Sequence, residues 1–155
     1  MRAVKTKQVL LFGLLSLAVM AFIFSNSAQL ADQSNAVSGG LMDLLRPILQ
    51  PFFTSEELMH KFVRKAAHFT EFAALGFCVG MTADGLRRRF WRGSMVFVPL
   101  FTTLAVAVTD EFIQSFFDRT SSVRDVLLDF AGAAFGVALA AMIAEMLLRF
   151  KQKRG

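Results

Sequence analysis

Residues 62–81 run FVRKAAHFTEFAALGFCVGM, and whether they cross a membrane sets the number of spans in the chain. Its purely apolar part, residues 72–81, is too short to cross hydrocarbon, which takes about 20 residues of helix. Extended upstream through Phe62, Val63, Ala66, Ala67 and Phe69 it is long enough, but it then carries Lys65, His68 and Glu71. Ionisable groups in a bilayer are costly unless they face the protein interior or water, so a segment that keeps them uses them.

The rest of the chain supplies the frame. Apolar runs begin near residue 9, near residue 95 and near residue 125, each long enough with its flanks to span a membrane. Basic residues gather in three places: Arg2, Lys5 and Lys7 at the start; Arg87, Arg88, Arg89 and Arg92 in the middle, with Trp91 suited to the headgroup layer; and Arg149, Lys151, Lys153 and Arg154 in the tail. The positive-inside rule wants all three on the cytoplasmic side, and four crossings put them there. Leaving out residues 62–81 would put two clusters outside. The expected architecture is therefore all-α: one domain over residues 1–155, a polytopic bundle of four transmembrane helices at about 8–26, 62–83, 95–117 and 125–148, with both termini cytoplasmic.

Composition agrees. Of 155 residues, 55% are hydrophobic, and there are 18 Phe but no Tyr. Phe is comfortable in hydrocarbon, where a phenol would need a partner. The net charge of +5 does not point to nucleic acid, because the basic residues flank apolar runs instead of interleaving with aromatics on a polar surface. The single cysteine, Cys78, excludes an internal disulfide and a multi-cysteine metal site. A basic start, an apolar run and then Ser25, Asn26 and Ser27 also describe a signal peptide, but the run is long for one, and a retained helix is expected.

Between the first two crossings, Ser34, Ser38, Gly39 and Gly40 suggest a loop. Leu41, Met42, Leu44, Leu45, Ile48 and Leu49 recur at helical spacing and predict a short amphipathic helix on the membrane, limited by Pro47. Thr54 or Ser55 followed by Glu56 and Glu57 reads as a helix start, and His60 is placed in the loop before the second crossing.

Depth and face organise the polar residues. Glu71 lies about 9 Å below Lys65, Asp110 about 12 Å inside the outer end of the third helix, and Asp129 about 6 Å below Asp125. Lys65, His68 and Glu71 share a stripe of roughly 120°, Asp110, Glu111 and Gln114 one of roughly 100°, and Asp125, Asp129, Gly132 and Gly136 one of roughly 60°. Gly132 and Gly136 let a neighbouring helix approach closely, so the aspartates on their face point into the bundle. The expectation is an outward-opening polar pocket lined by Lys65, His68, Glu71, Asp110, Glu111, Gln114, Arg119, Asp125 and Asp129. Such crowding can supply an acid and a base. It can equally hold helices together, with Lys65 and Arg119 neutralising Glu71 and Asp110. His68 and Glu71, completed by Asp110 or Glu111, form an alternative metal-ligand set. With only two histidines in the chain, no metal is assigned.

These residues also carry a resemblance. Lys65-Ala-Ala-His68-Phe69-Thr-Glu71-Phe72-Ala-Ala-Leu75-Gly76 resembles the K-x-x-H-F-x-E-F-x-x-L-G signature of VanZ-like membrane proteins. Asp110-Glu111-Phe-Ile-Gln114, Arg119 and Asp125-Val-Leu-Leu-Asp129 with Gly132 and Gly136 resemble that family's second block, and Phe24-Ser25 its usual opening. One position departs: the pattern usually has Asn where this chain has Asp129, which adds a carboxyl group. The resemblance covers nearly the whole chain. It implies a protein of the bacterial plasma membrane and cell envelope, in a family whose named member is associated with resistance to the glycopeptide teicoplanin. It supplies no reaction.

The working expectation joins the two readings. The pocket binds or acts on a lipid-linked cell-wall precursor or an anionic lipid at the outer leaflet. As an enzyme, the chain would use His68 or Glu71 as base and Asp110 or Glu111 as acid, with Lys65 and Arg119 anchoring a phosphate or pyrophosphate. Gln114, Asp125 and Asp129 complete the binding surface. No cofactor is implied, and the oligomeric state is open. The rivals are a non-catalytic binding protein for lipids or drug targets and a small proton-coupled transporter. A transporter needs polar groups reaching the midplane, and the inner halves of these helices are nearly free of charge.

Overall fold

The fold was analysed in a computed structural model, which describes residues 6–28, 40, 42–90, 96–117 and 121–153, the side chains of residues 87–90 and 151 excepted. Arg2, Lys5, Ser34, Ser38, Gly39, Leu41, Trp91, Arg92, Arg119 and Arg154, singled out above, lie outside the described residues. Those described form five helices and no strand: α1 (Thr6–Ser27), α2 (42–49), α3 (Glu56–Phe90), α4 (Phe97–Gln114) and α5 (Val123–Lys153).

α1, α4 and α5 contain the three helices long and apolar enough to cross a membrane, over Thr6–Ser27, Phe97–Gln114 and Val123–Phe150. α1 is apolar on every side. Leu10, Leu11, Leu14 and Leu17 are exposed, and only Ile23 and Ser27 of its residues are buried. Outward-facing leucines are what a lipid-contacting helix requires, because hydrocarbon is as good a solvent for them as the protein interior.

α3 differs. At 35 residues it is about 52 Å long, more than a crossing needs. It begins six residues before the expected start at residue 62. Ser55 accepts the Leu58 N–H at 3.3 Å through its hydroxyl oxygen and so caps the helix, and Glu56 and Glu57 sit in the first turn, where the helix dipole favours carboxylates. His60 therefore lies in α3, not in a loop. Outside the bundle, Lys61 donates to Glu57 at 2.6 Å; that hydrogen bond, and then the lysine charge, hold the Glu57 carboxyl below its usual range. The expected short helix is α2, which a 3-10 turn at Gln50–Phe52 continues. Its Met42 is buried with Met59 and Val63 of α3, and Arg46 pairs with Glu56 at 3.1 Å. Leu44 and Ile48, on its other side, are exposed.

Small residues set the closest approach, between α3 and α5. A Cβ on Gly136 would collide with the Ala73 carbonyl, one on Gly132 with the Phe69 carbonyl, and one on Gly76 with the Ala133 carbonyl. Farther along, a Cβ on Gly80 would lie 2.8 Å from Ala140 Cβ. The pairing order, Phe69 with Gly132, Ala73 with Gly136 and Gly80 with Ala140, shows that α3 and α5 run parallel. The expectation for Gly132 and Gly136 holds, and α3 is the helix they admit. α1 runs the other way along α3: Gln8 Nε2 donates to the Met81 carbonyl at 3.1 Å, and Phe12 meets Phe77 edge-on at 6.0 Å. Ile23, Phe72, Leu75, Val106, Ala107 and Ala133, from all four long helices, form the main core.

Candidate functional site: a polar cluster at the meeting of four helix ends

The antiparallel arrangement brings together the end of α1, the first half of α3, the end of α4 and the start of α5. Each contributes polar side chains at that level.

The rim is made by α3 and α5. Lys65 Nζ lies 2.6 Å from Asp125 Oδ1, with 48% of the lysine side chain and 31% of the aspartate exposed. Lys65 thus meets Asp125, where the sequence suggested Glu71, because α5 begins beside the third turn of the parallel α3. Asp125 is fixed again by Ser122, whose hydroxyl donates to Asp125 Oδ2 at 2.8 Å and accepts the Asp125 N–H at 3.2 Å. This is a capping arrangement that starts α5. The Ser122 N–H in turn donates to Glu111 Oε2 at 2.9 Å, so Glu111 ties the end of α4 to the start of α5.

Beneath the rim lies a buried floor. Asp110 is fully buried and satisfied: the Ser27 hydroxyl donates to Oδ1 at 2.5 Å and Gln114 Nε2 donates to Oδ2 at 2.8 Å. Asp129 is 1% exposed, and neither of its oxygens has a hydrogen-bond partner. His68 Nδ1 is 3.8 Å from Asp129 Oδ1. Ligand atoms of His68, Asp110 and Asp129 all lie within 4.8 Å of one another. Glu71 turns aside to α1, where it accepts from Asn26 Nδ2 at 3.4 Å.

Beside the cluster, α2 and α3 border an open cavity of about 400 Å³, lined by Leu45, Leu49, Phe62, Val63, Ala66 and Ala67, with Thr70 and Glu71 as its polar members. It joins the amphipathic helix to the site through Glu71.

Eight of the nine candidate residues lie among those described, and they gather at one end of the bundle; Arg119 is outside the described set. They differ in exposure. Lys65, Asp125 and the partly exposed His68 face outward, whereas Asp110, Glu111, Gln114 and Asp129 are at most 4% exposed. The alternative metal set read from spacing changes membership, with Asp129 taking the place of Glu71. Three participants were not singled out from the sequence: Asn26, Ser27 and Ser122. For the first two the signal was present, as three consecutive polar residues directly after an apolar run. That pattern also describes any helix end.

A model of the VanZ/LLP1 family matches residues 12–145, from the second turn of α1 to the last turns of α5. No curated protein matches the chain. No solved structure matches it. The family match takes in every residue of the rim and the floor, and on that extent the chain belongs to the VanZ/LLP1 family.

Proposed function

We propose that this chain is a four-span protein of the bacterial plasma membrane whose polar cluster faces outward and binds or acts on the anionic headgroup of a lipid-linked or cell-wall ligand. One observation carries the reading: the polar ends of four helices meet at the end of the bundle opposite the basic start of α1 and the basic end of α5. Lys7 at the start of α1 and Arg149 and Lys153 at the end of α5 are exposed at the far end. By the positive-inside rule that end is cytoplasmic, which leaves the cluster at the outer surface.

The fourth crossing is α3. Its composition is too polar to mark it as a span, but it runs parallel to α5, a helix that qualifies, from Lys65 beside Asp125 to Gly80 beside Ala140. A helix packed through that depth shares its neighbour's path. Its polar residues are tolerated because they face protein and the rim, not lipid.

Lys65 supplies a point charge for a phosphate, and Arg119, between α4 and α5 in the sequence, a planar fork. The cavity between α2 and α3 is apolar and opens beside Glu71, which suits the first carbons of a lipid tail below its headgroup. Binding without turnover is favoured by the burial of Asp110, Glu111, Gln114 and Asp129, which leaves few acid–base groups in reach of a ligand. A protein of this kind alters what the outer leaflet presents, and the family's link to teicoplanin-type resistance fits that effect.

The test compares membrane-lipid and peptidoglycan-precursor profiles of cells with and without the protein. The expected result is a changed pool of one phosphate-bearing lipid, restored by the wild-type chain and not by Lys65→Ala or His68→Ala. Identical profiles would end the proposal. Turnover of a labelled lipid precursor by purified protein, lost in His68→Ala and Glu71→Gln, would replace binding with catalysis.

A further inference from the structure

Asp129 is the least explained group in the molecule. Its side chain is 1% exposed, and neither oxygen has a hydrogen-bond partner. A carboxylate carries its charge in such surroundings only beside a compensating cation, and an uncharged carboxyl would still leave polar atoms unsatisfied. Among the described residues, its neighbours are not donors placed to satisfy it. They are a second buried carboxylate, Asp110, and an imidazole, His68.

We propose that His68, Asp110 and Asp129 form a binding site for one divalent transition-metal ion, of which Zn²⁺ is the type. The three ligand atoms come from three helices and lie within 4.8 Å of one another. Ligand atoms bound tetrahedrally to one ion at about 2.0–2.2 Å lie about 3.3–3.6 Å apart, so side-chain rotations that draw the three atoms together by about 1.5 Å or less close the site. Two carboxylates and a neutral imidazole carry a formal charge that a divalent ion cancels, which removes the unbalanced charge from the floor. An imidazole nitrogen in the set favours Zn²⁺ or its transition-metal neighbours over Mg²⁺ and Ca²⁺, which prefer oxygen alone.

The surroundings fit a ligand cage. Ser27 and Gln114 each donate to a different oxygen of Asp110, and so fix the orientation of that carboxylate while leaving lone pairs for an ion. Ile23, Phe72, Ala107 and Ala133 pack below and keep the floor dry. Three protein ligands leave room for a water or a ligand oxygen, and the partly exposed His68 lies on the side toward the rim. The inference goes beyond the headgroup reading and does not depend on it.

The test uses the full chain, purified, stripped with a chelator and placed in nanodiscs of phosphatidylcholine, which offers no anionic lipid. Titration with Zn²⁺ is expected to give one saturable ion per chain and a rise in Tm, and Co²⁺ in its place a visible d–d spectrum. Asp129→Asn, nearly isosteric and with the poorer ligand, is expected to weaken Zn²⁺ by a hundredfold or more while its metal-free Tm shows that it folds. Glu57→Gln, outside the bundle, should bind as the wild type does. Absence of a saturable ion, undiminished binding in Asp129→Asn, or equal binding of Mg²⁺ and Ca²⁺ would each overturn the proposal. Because no anionic headgroup is present, those outcomes leave the lipid-profile test untouched, and failure of that test leaves this one standing.

Discussion

α1 and α3 lie side by side and are built on opposite rules. In the most apolar stretch of α1 only 6% of residues are buried. α3 carries Arg64, Lys65, His68, Glu71 and Asp84, yet Phe72, Leu75, Gly76, Cys78, Met81, Ala83 and Gly85 are all buried along its length. In a soluble domain the more apolar helix would be the inner one. Here the ordering is reversed, as it is when the solvent is hydrocarbon: apolar side chains gain nothing from burial, and polar ones must find the protein interior or water. Apolarity thus marks contact with lipid, while small residues and charge mark contact with protein.

That contrast can be broken most directly at the α3–α5 seam. Gly136→Leu drives a side chain into the Ala73 carbonyl, and backbone cannot give way as a flexible side chain can. The expected cost is about 3 kcal/mol or more, at or above the usual range for overpacking, seen as loss of folded protein in thermal unfolding in detergent. Asp110→Ala comes next. It orphans the Ser27 hydroxyl and the Gln114 amide in the floor, and should cost about 1–3 kcal/mol in the same assay. Lys65→Ala removes half of an exposed ion pair, so stability should fall by no more than about 1 kcal/mol, while retention of the chain on vesicles containing phosphate-headgroup lipids drops. The smallest effect belongs to α1. Leu14 is 66% exposed, and Leu14→Ala should change unfolding by no more than about 0.5 kcal/mol, far below the 2–5 kcal/mol of a buried leucine in a soluble core. A large loss there would show that α1 is covered by protein and would cancel the contrast.

Much of this arrangement is legible in the sequence, for physical reasons. Spans show themselves because 20 apolar residues have few other uses. The Gly132–Gly136 face identifies itself because small residues four apart open a groove, and the aspartates on that face follow it inward. The level of the polar residues follows from helical rise alone. What the sequence hides is partner choice. Lys65 has Glu71 on its own helical stripe, and nothing in one helix tells that Asp125 opens the parallel helix beside it. Glu71 shares a face with His68, but the approach of α1 draws it to Asn26, so the ligand set inferred from spacing exchanges Glu71 for Asp129. Ser27 is hidden more deeply: a serine after an apolar run reads as an ending, and only the packing of α1 against α4 makes it a donor to Asp110. Likewise, α3 starts ahead of residue 62 because Ser55 caps it and Glu56 and Glu57 suit its first turn, signals that mark a beginning without telling that the helix continues unbroken to Phe90.

In the proposed topology the mixed-charge end of α3 faces the outside of the cell and its other end the cytoplasm. In a Cys78→Ser background, which removes the only cysteine, single reporters Lys61→Cys and Lys153→Cys are treated in intact cells with a membrane-impermeant maleimide. Both positions are exposed. The account predicts labelling of Lys61→Cys in intact cells and of Lys153→Cys only after the membrane is opened. Labelling of both from the same side, or of Lys153→Cys alone in intact cells, would contradict it.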